Sequence, residues 1–252
     1  MPEPLEVRLG HECFPQPDNR AARVWRYLSL PKFISLLKHR QIYLSRLDLL
    51  KDPHEGAIPK PLIDARREFF GSQGRPDVEA MMRNTNVRAR SACYVNSWTK
   101  MDDESQALWR QYCQNEEGVA IQSSYDRLID VVAGDDDLYL GEVRYIDYRS
   151  ESWEAGGTIN MFRPVMHKRR AFAHEAEIRL VKVLYAHVPD NTPRGPAGVT
   201  VPVVLVELVE RVFVSPYAQE WYFDVVKAVV QEFGRSLVER VGWSLMKGEP
   251  FY

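Results

Sequence analysis

The sequence predicts an α+β fold, a single domain of mainly antiparallel sheet with flanking helices, and three observations carry that prediction. Short strand-like apolar runs recur along the chain, but helical patterns interrupt them irregularly, without the steady strand–helix rhythm of a doubly wound sheet. A clear 3.6-residue apolar period occurs near the C-terminus, at Tyr222, Val225, Val226, Val229, Val230 and Phe233. No interior linker, repeat or low-complexity stretch separates two cores within the 252 residues. The expected organisation is a Pro-rich polar arm over residues 1–22 and one domain over 23–252.

The first firm element is a strand over Ala22–Leu28, with Trp25 and Tyr27 facing away from Val24 and Arg26. Ser29-Leu30-Pro31 opens a helix, because serine suits a cap and proline the first turn. Phe33, Ile34, Leu36 and Leu37 supply its apolar face. Gln41–Ser45 reads as a strand, and Asp52-Pro53-His54-Glu55-Gly56 as a turn. The arginine-rich stretch 57–90 lacks strand alternation and suggests two short helices. Ser91–Thr99 is a strand. A helix then starts at Asp102–Ser105, lines Leu108, Trp109, Tyr112 and Cys113 along one stripe, and stops at Gly118.

Gly118–Gln122 is expected as a strand, Ser124–Val132 as a helix and Leu138–Tyr148 as one long strand. Residues 150–173 read as irregular or helical, with the basic run His167-Lys168-Arg169-Arg170 in a solvated loop. Glu175–Tyr185 alternates: Ile178, Leu180 and Leu184 on one face, and Glu175, Glu177 and Arg179 on the other. A Pro/Gly-rich loop, Pro189–Gly198, leads to apolar runs at Val199–Val209 and Arg211–Val214. The last helix ends at Gly234, and a strand near Leu237–Leu245 closes the domain.

Composition excludes several functions. A net charge of -2 gives no global attraction to nucleic acid or anionic lipid. The longest apolar run, Val199–Val209, is broken by Pro202 and Glu207, so no membrane partner is expected. The N-terminus lacks the basic-then-apolar order of a secretory signal, and three scattered cysteines suit a reducing compartment, so the expected address is cytoplasmic. There is no Gly-rich phosphate loop, no zinc-ligand spacing and no nucleophile elbow. Asp52, His54 and Glu55 are adjacent on a turn and rarely converge on one ion from there, so no metal is expected.

Several segments taken in order resemble an uncharacterised bacterial family, domain of unknown function 2971. They are Trp25-Arg26-Tyr27, Leu50–Gly56, Leu108–Tyr112 with Glu117-Gly118-Val119, Val143-Arg144-Tyr145, Glu175–Arg179 and Val214-Ser215-Pro216. A second resemblance is to ADP-ribosyltransferases of the arginine–serine–glutamate type. Their landmarks, in chain order, match Arg26 on a first strand, Ser97-Trp98-Thr99 on a later one and Glu175-Ala176-Glu177 entering another.

The second resemblance implies a split-sheet fold and NAD as substrate, with no metal. Glu177 would hold the ribose and stabilise the oxocarbenium-like charge that develops as the nicotinamide bond breaks. Glu175 would orient or deprotonate an acceptor, a protein or nucleic acid of unknown identity. Ser97 would fix Glu177 or the ribose, and Arg26, with Tyr27 and Thr99 beside these residues, would hold the cofactor. Arg26, Ser97 and Glu177 would then line one cleft. Arg169, Arg170 and Phe172 would read the target. Such enzymes include bacterial toxins and phage-defence effectors. The residues themselves leave alternatives open: a nucleic-acid-binding or -processing protein using the arginines of 66–90 and 167–170, or an inactive interaction module. Glu175, Glu177 and Arg179 can equally form a solvated strand face with weak cross-strand pairs. The oligomeric state is not legible.

Overall fold

The computed structural model describes residues 3–113, 117–153, 161–184 and 195–248. The elements up to the first hundred residues are α1 (Leu5–Leu9), β1 (Arg23–Leu28), α2 (Leu30–His39), β2 (Gln41–Arg46), α3 (Lys60–Ser72), α4 (Pro76–Ala92) and β3 (Cys93–Lys100). Then come α5 (Gln106–Tyr112), β4 (Val119–Ser124), α6 (Tyr125–Ala133), β5 (Leu138–Glu142), β6 (Arg144–Ile146), α7 (Phe162–Val165), β7 (His167–Arg169) and β8 (Glu177–Val183). The chain finishes with β9 (Gly198–Pro202), α8 (Leu205–Leu208), β10 (Arg211–Val214), α9 (Glu220–Phe233) and β11 (Val241–Trp243). The fold is α+β, and most strand pairs are antiparallel. The pairs β10–β11 and β6–β7 are parallel.

Two compact units share this chain. The first comprises residues 1–16, 44–96 and 136–199, and the second 17–43, 97–135 and 200–252. The chain passes between them five times, at 16/17, 43/44, 96/97, 135/136 and 199/200, three of these inside β2, β3 and β9.

In the first unit, β8 pairs with β3 and antiparallel with β5, Leu140 lying opposite Leu180. Its core joins Phe14, Leu47, Cys93, Val143, Phe162 and Val181. The segment read as an arm is packed here. Phe14 is buried and stacks on Tyr139 at 5.0 Å, and the buried Arg8 donates from Nη1 to the Leu138 carbonyl at 2.6 Å. Gly141 allows that approach, since a Cβ there would lie 2.7 Å from the Phe14 Cα.

In the second unit, β4 lies between β1 and β10, with Trp25 opposite Gln122 and Gln122 opposite Arg211. The core joins Trp25, Tyr27, Leu108, Trp109, Cys113, Ala120 and Phe213. Burial of such side chains contributes roughly 1.5–3 kcal/mol each. In α9, Tyr222, Val226 and Val230 of the expected stripe are buried while Val225 is exposed, and Gly234 closes the helix by donating its N–H to the Val230 carbonyl at 2.8 Å.

Several elements differ from expectation. The strand read over Leu138–Tyr148 is two strands: the Val143 N–H still continues the β5–β8 ladder to the Glu177 carbonyl at 2.9 Å, but the Arg144 N–H donates to the Met166 carbonyl at 2.9 Å and takes the chain into β6 beside β7. Ser91 and Ala92 end α4 and precede β3. Helix α5 stops at Tyr112, which is 44 % exposed and leaves the apolar stripe. Gly118 lies beyond the helix end, and a Cβ there would lie 2.2 Å from the Cys113 Sγ. The run at Val199–Val209 is β9 followed by the short helix α8. Of the expected C-terminal strand Leu237–Leu245, residues 237–240 belong to a 3-10 segment, Arg235–Arg240, and only Val241–Trp243 is extended. Tyr185 and most of the Pro189–Gly198 loop lie outside the described residues.

Candidate functional site

The basic run at 167–170 is not a solvated loop. His167 and Lys168 are buried in β7, which pairs in parallel with β6. Lys168 carries its ammonium into a cluster of carboxylates: its Nζ lies 2.5 Å from Glu175, 3.1 Å from Glu177 and 3.3 Å from Glu55. Beside it the Arg179 guanidinium is fully buried. Its Nε donates to Glu177 at 2.7 Å, its Nη1 to Glu55 at 3.0 Å and to the Val165 carbonyl at 2.6 Å. All five residues belong to the first unit.

Local structure explains the convergence. The turn at 52–56 is an Asx turn, in which the His54 N–H donates to the Asp52 Oδ1 at 3.1 Å. Gly56 completes it at φ +73°, where a Cβ would also lie 2.6 Å from Leu47. That turn places Glu55, which is 3 % exposed. Glu175 ends a 3-10 turn, Arg170–Glu175, and Ala176 then takes a left-handed conformation at φ 40°. Such a conformation costs about 1–2 kcal/mol for a residue with a Cβ. It means that Glu175 and Glu177 are not i, i+2 neighbours on one strand face; the kink instead brings both carboxylates to the same ammonium. Glu177 opens β8, its N–H donating to the Tyr145 hydroxyl at 2.8 Å.

The expected solvated strand face is therefore wrong: Glu175, Glu177 and Arg179 are 5 %, 3 % and 0 % exposed. Among the described residues, three carboxylates (Glu55, Glu175 and Glu177) face two cations (Lys168 and Arg179) in a medium of low dielectric. Burial pulls the Lys168 and Arg179 pKa values down, but Glu177, Glu55 and their neighbours outweigh it, so both are held above their ordinary ranges. Lys168 is thus a fixed cation, unsuited to act as a neutral amine nucleophile.

A second ion pair flanks the cluster. Arg169 binds Asp52 at 2.8 Å. Burial raises the Asp52 carboxyl, but the His54 N–H and Arg169 together hold it below its ordinary value. Phe172 covers both cations, with its ring centroid 4.9 Å from the Lys168 Nζ and 5.3 Å from the Arg169 guanidinium. Arg170 is exposed and pairs with Glu151. The residues assigned to target reading are thus engaged within the first unit: Arg169 on Asp52, Phe172 on the cluster.

The remaining residues singled out in the sequence belong to the second unit. The Arg26 guanidinium lies 5.8 Å from the Trp98 ring and donates to the Ser97 carbonyl at 3.2 Å. Adjacent strand residues project from opposite faces, so Arg26 shares the face of Trp98 rather than that of the Ser97 hydroxyl. Tyr27 is buried; its hydroxyl accepts the Ser105 N–H at 2.8 Å, and its ring meets Trp109 edge-on. It supports the start of α5. Thr99 is buried opposite Trp25.

Sequence reasoning missed Glu55, Lys168 and Arg179 as members of one site. One signal was available: Glu177 and Arg179 lie two apart on a strand whose intervening and following residues, Ile178, Leu180 and Val181, are all apolar. Charges flanked in this way by apolar neighbours suit a buried i, i+2 pair better than a solvated face. The chain matches no family model, no curated protein and no solved structure.

Proposed function

We propose that the chain is an NAD-dependent ADP-ribosyltransferase or NAD glycohydrolase, of the kind used as a bacterial toxin or phage-defence effector. One observation carries the reading. Glu175 and Glu177 converge on a single ammonium within a buried cluster that, among the described residues, gathers three carboxylates and two cations. Such a site is complementary to positive charge developing on a ribose. In the reaction the bond between the nicotinamide nitrogen and ribose C1′ breaks, and its electron pair leaves with neutral nicotinamide. Water or an acceptor hydroxyl then captures C1′, with Glu175 receiving the proton and Glu177 facing the cation. Because Glu177 is 3 % exposed, the ribose reaches it only after Phe172 and the Arg170–Glu175 turn move aside.

A second reading is favoured by a specific observation. Both Glu177 oxygens are engaged, one by Arg179 and the other by Lys168, as in a polar core that fixes a fold. On that reading the chain is an inactive interaction module. Release of nicotinamide from NAD by purified protein separates the two. The enzyme reading predicts release by wild type and a loss of about 100-fold or more in Glu177→Gln, the scale of removing a key electrostatic stabiliser. Glu55→Gln, which perturbs the same cluster without the proposed catalytic role, should keep most of the rate at a temperature where both variants are folded. Glu175→Gln should suppress transfer to lysate acceptors while sparing hydrolysis. No release by folded wild type overturns the enzyme reading.

A further inference from the structure

The second unit contains a cavity of about 190 Å³ floored by the face of β1, β4 and β10 that carries Trp25, Gln122 and Phe213. Arg211 and Arg23 reach it from either side of Gln122, and the loop at 102–104 forms its rim. The Glu104 carboxylate is engaged by the Trp109 indole at 2.9 Å, the Ser244 hydroxyl at 2.5 Å and the Leu245 N–H at 2.7 Å. Arg23 donates one Nη to the Asp102 carbonyl at 2.8 Å. Among the described residues, no ion pair or hydrogen bond engages the side chains of Arg211, Asp102 or Asp103, although all three line the same cavity.

Arg23, Arg211, Asp102 and Asp103 are exposed to water, and a ligand that carries both charges can replace that water on either sign at once. With Glu104 engaged, Arg23 and Arg211 balance Asp102 and Asp103. A dianionic phosphate would meet Arg211 only by approaching two carboxylates. A simple amine would leave the arginines unsatisfied. The cavity is also smaller than the roughly 300–1,000 Å³ of sites for drug-sized ligands, which excludes a dinucleotide. We infer that the second unit binds a small zwitterion of free α-amino-acid size, its carboxylate on Arg211 and its ammonium on Asp102 and Asp103. Leu245, an exposed lining residue, supplies the apolar surface for a short side chain, while Trp25 and Phe213 beneath are packed in the core. This site is distinct from the Glu175–Glu177 cluster and stands whatever the outcome of the NAD test.

Ligand-observed NMR on the full chain with the standard free α-amino acids at millimolar concentration tests the inference. At least one should show saturation transfer. Its deaminated acid and its decarboxylated amine should each bind on the order of 10-fold or more weaker, the scale of losing one charge-assisted contact. Arg211→Gln should weaken binding by about the same factor without changing the melting temperature. Should that variant fold poorly, Asp102→Asn with Asp103→Asn, on an exposed rim, gives the same readout. Saturation transfer from no amino acid overturns the inference. So does unchanged affinity in the folded variants, or displacement of the amino acid by inorganic phosphate at equal concentration.

Discussion

Glu177→Gln isolates the charge at the centre of the cluster. In the wild type the carboxylate is buried and accepts from the Arg179 Nε at 2.7 Å and the Lys168 Nζ at 3.1 Å. Removing one partner from a buried ion pair costs about 3–5 kcal/mol, because the remaining charge has lost water without recompense. Glutamine keeps an acceptor oxygen, and its neutrality relieves repulsion with Glu55 and Glu175, so the lower end, about 3 kcal/mol, is expected. For a chain of this size that lowers the melting temperature by about 6–12 °C. An exposed strand position would show about 0.5 kcal/mol. The matched control is Glu210→Gln, which removes a half-exposed pair with Arg127 at 3.0 Å and should cost under about 1 kcal/mol. Urea unfolding followed by far-UV circular dichroism reads both. A Glu177→Gln loss no larger than that of Glu210→Gln would refute the description of a mutually dependent buried cluster.

Further outcomes follow from the same geometry. Asp52 has a folded pKa below its ordinary 3.8, so the stability it contributes is complete above that value and lost as pH falls through the folded value. The difference in urea midpoint between wild type and Asp52→Asn should therefore be constant near neutral pH and shrink below about pH 4. Burial pushes the Tyr145 and Tyr148 hydroxyls above their ordinary 10.0, so these phenols favour the fold below pH 10 and oppose it as pH rises further. Tyrosinate absorbance of native protein just above pH 10 should accordingly fall short of that of urea-unfolded protein, and equal absorbance would contradict their burial. Gly141→Ala sets a Cβ against the Phe14 backbone, which cannot step aside as a flexible side chain would. A loss of about 1–3 kcal/mol is expected, with faster hydrogen exchange over residues 3–16; wild-type exchange there would argue against the packed N-terminal segment.

The elements legible in the sequence are those whose signals are local. β1, α2 and β2 follow from alternation and from Ser29-Leu30-Pro31, and α9 from an unbroken apolar period ended by Gly234. The turn at 52–56 is legible as a turn, but its purpose is not. Glu55 meets Arg179, 124 positions away, and no local pattern reports that contact. Lys168 was hidden differently. A run of four basic residues reads as solvated, whereas β7 turns Lys168 inward and leaves Arg170 exposed. The left-handed Ala176 was unreadable because alanine signals no such conformation, and with it went the relation between Glu175 and Glu177. Of the alternation read across Glu175, Glu177 and Arg179, only Glu177 and Arg179 share a face of β8, and that face is buried rather than solvated. That face is covered by the turn at 52–56 and by β7, which bring Glu55 onto Arg179 and Lys168 onto Glu177.

The claim that these charges form one unit is tested most directly by a double-mutant cycle between Lys168 and Glu177. Stabilities of wild type, Lys168→Met, Glu177→Gln and the double variant are measured by urea unfolding under one condition. Two members of one buried network should couple by about 1–3 kcal/mol, the double variant losing less than the sum of the single losses. Additive losses, with coupling inside the few tenths of a kcal/mol typical of independent sites, would contradict the account.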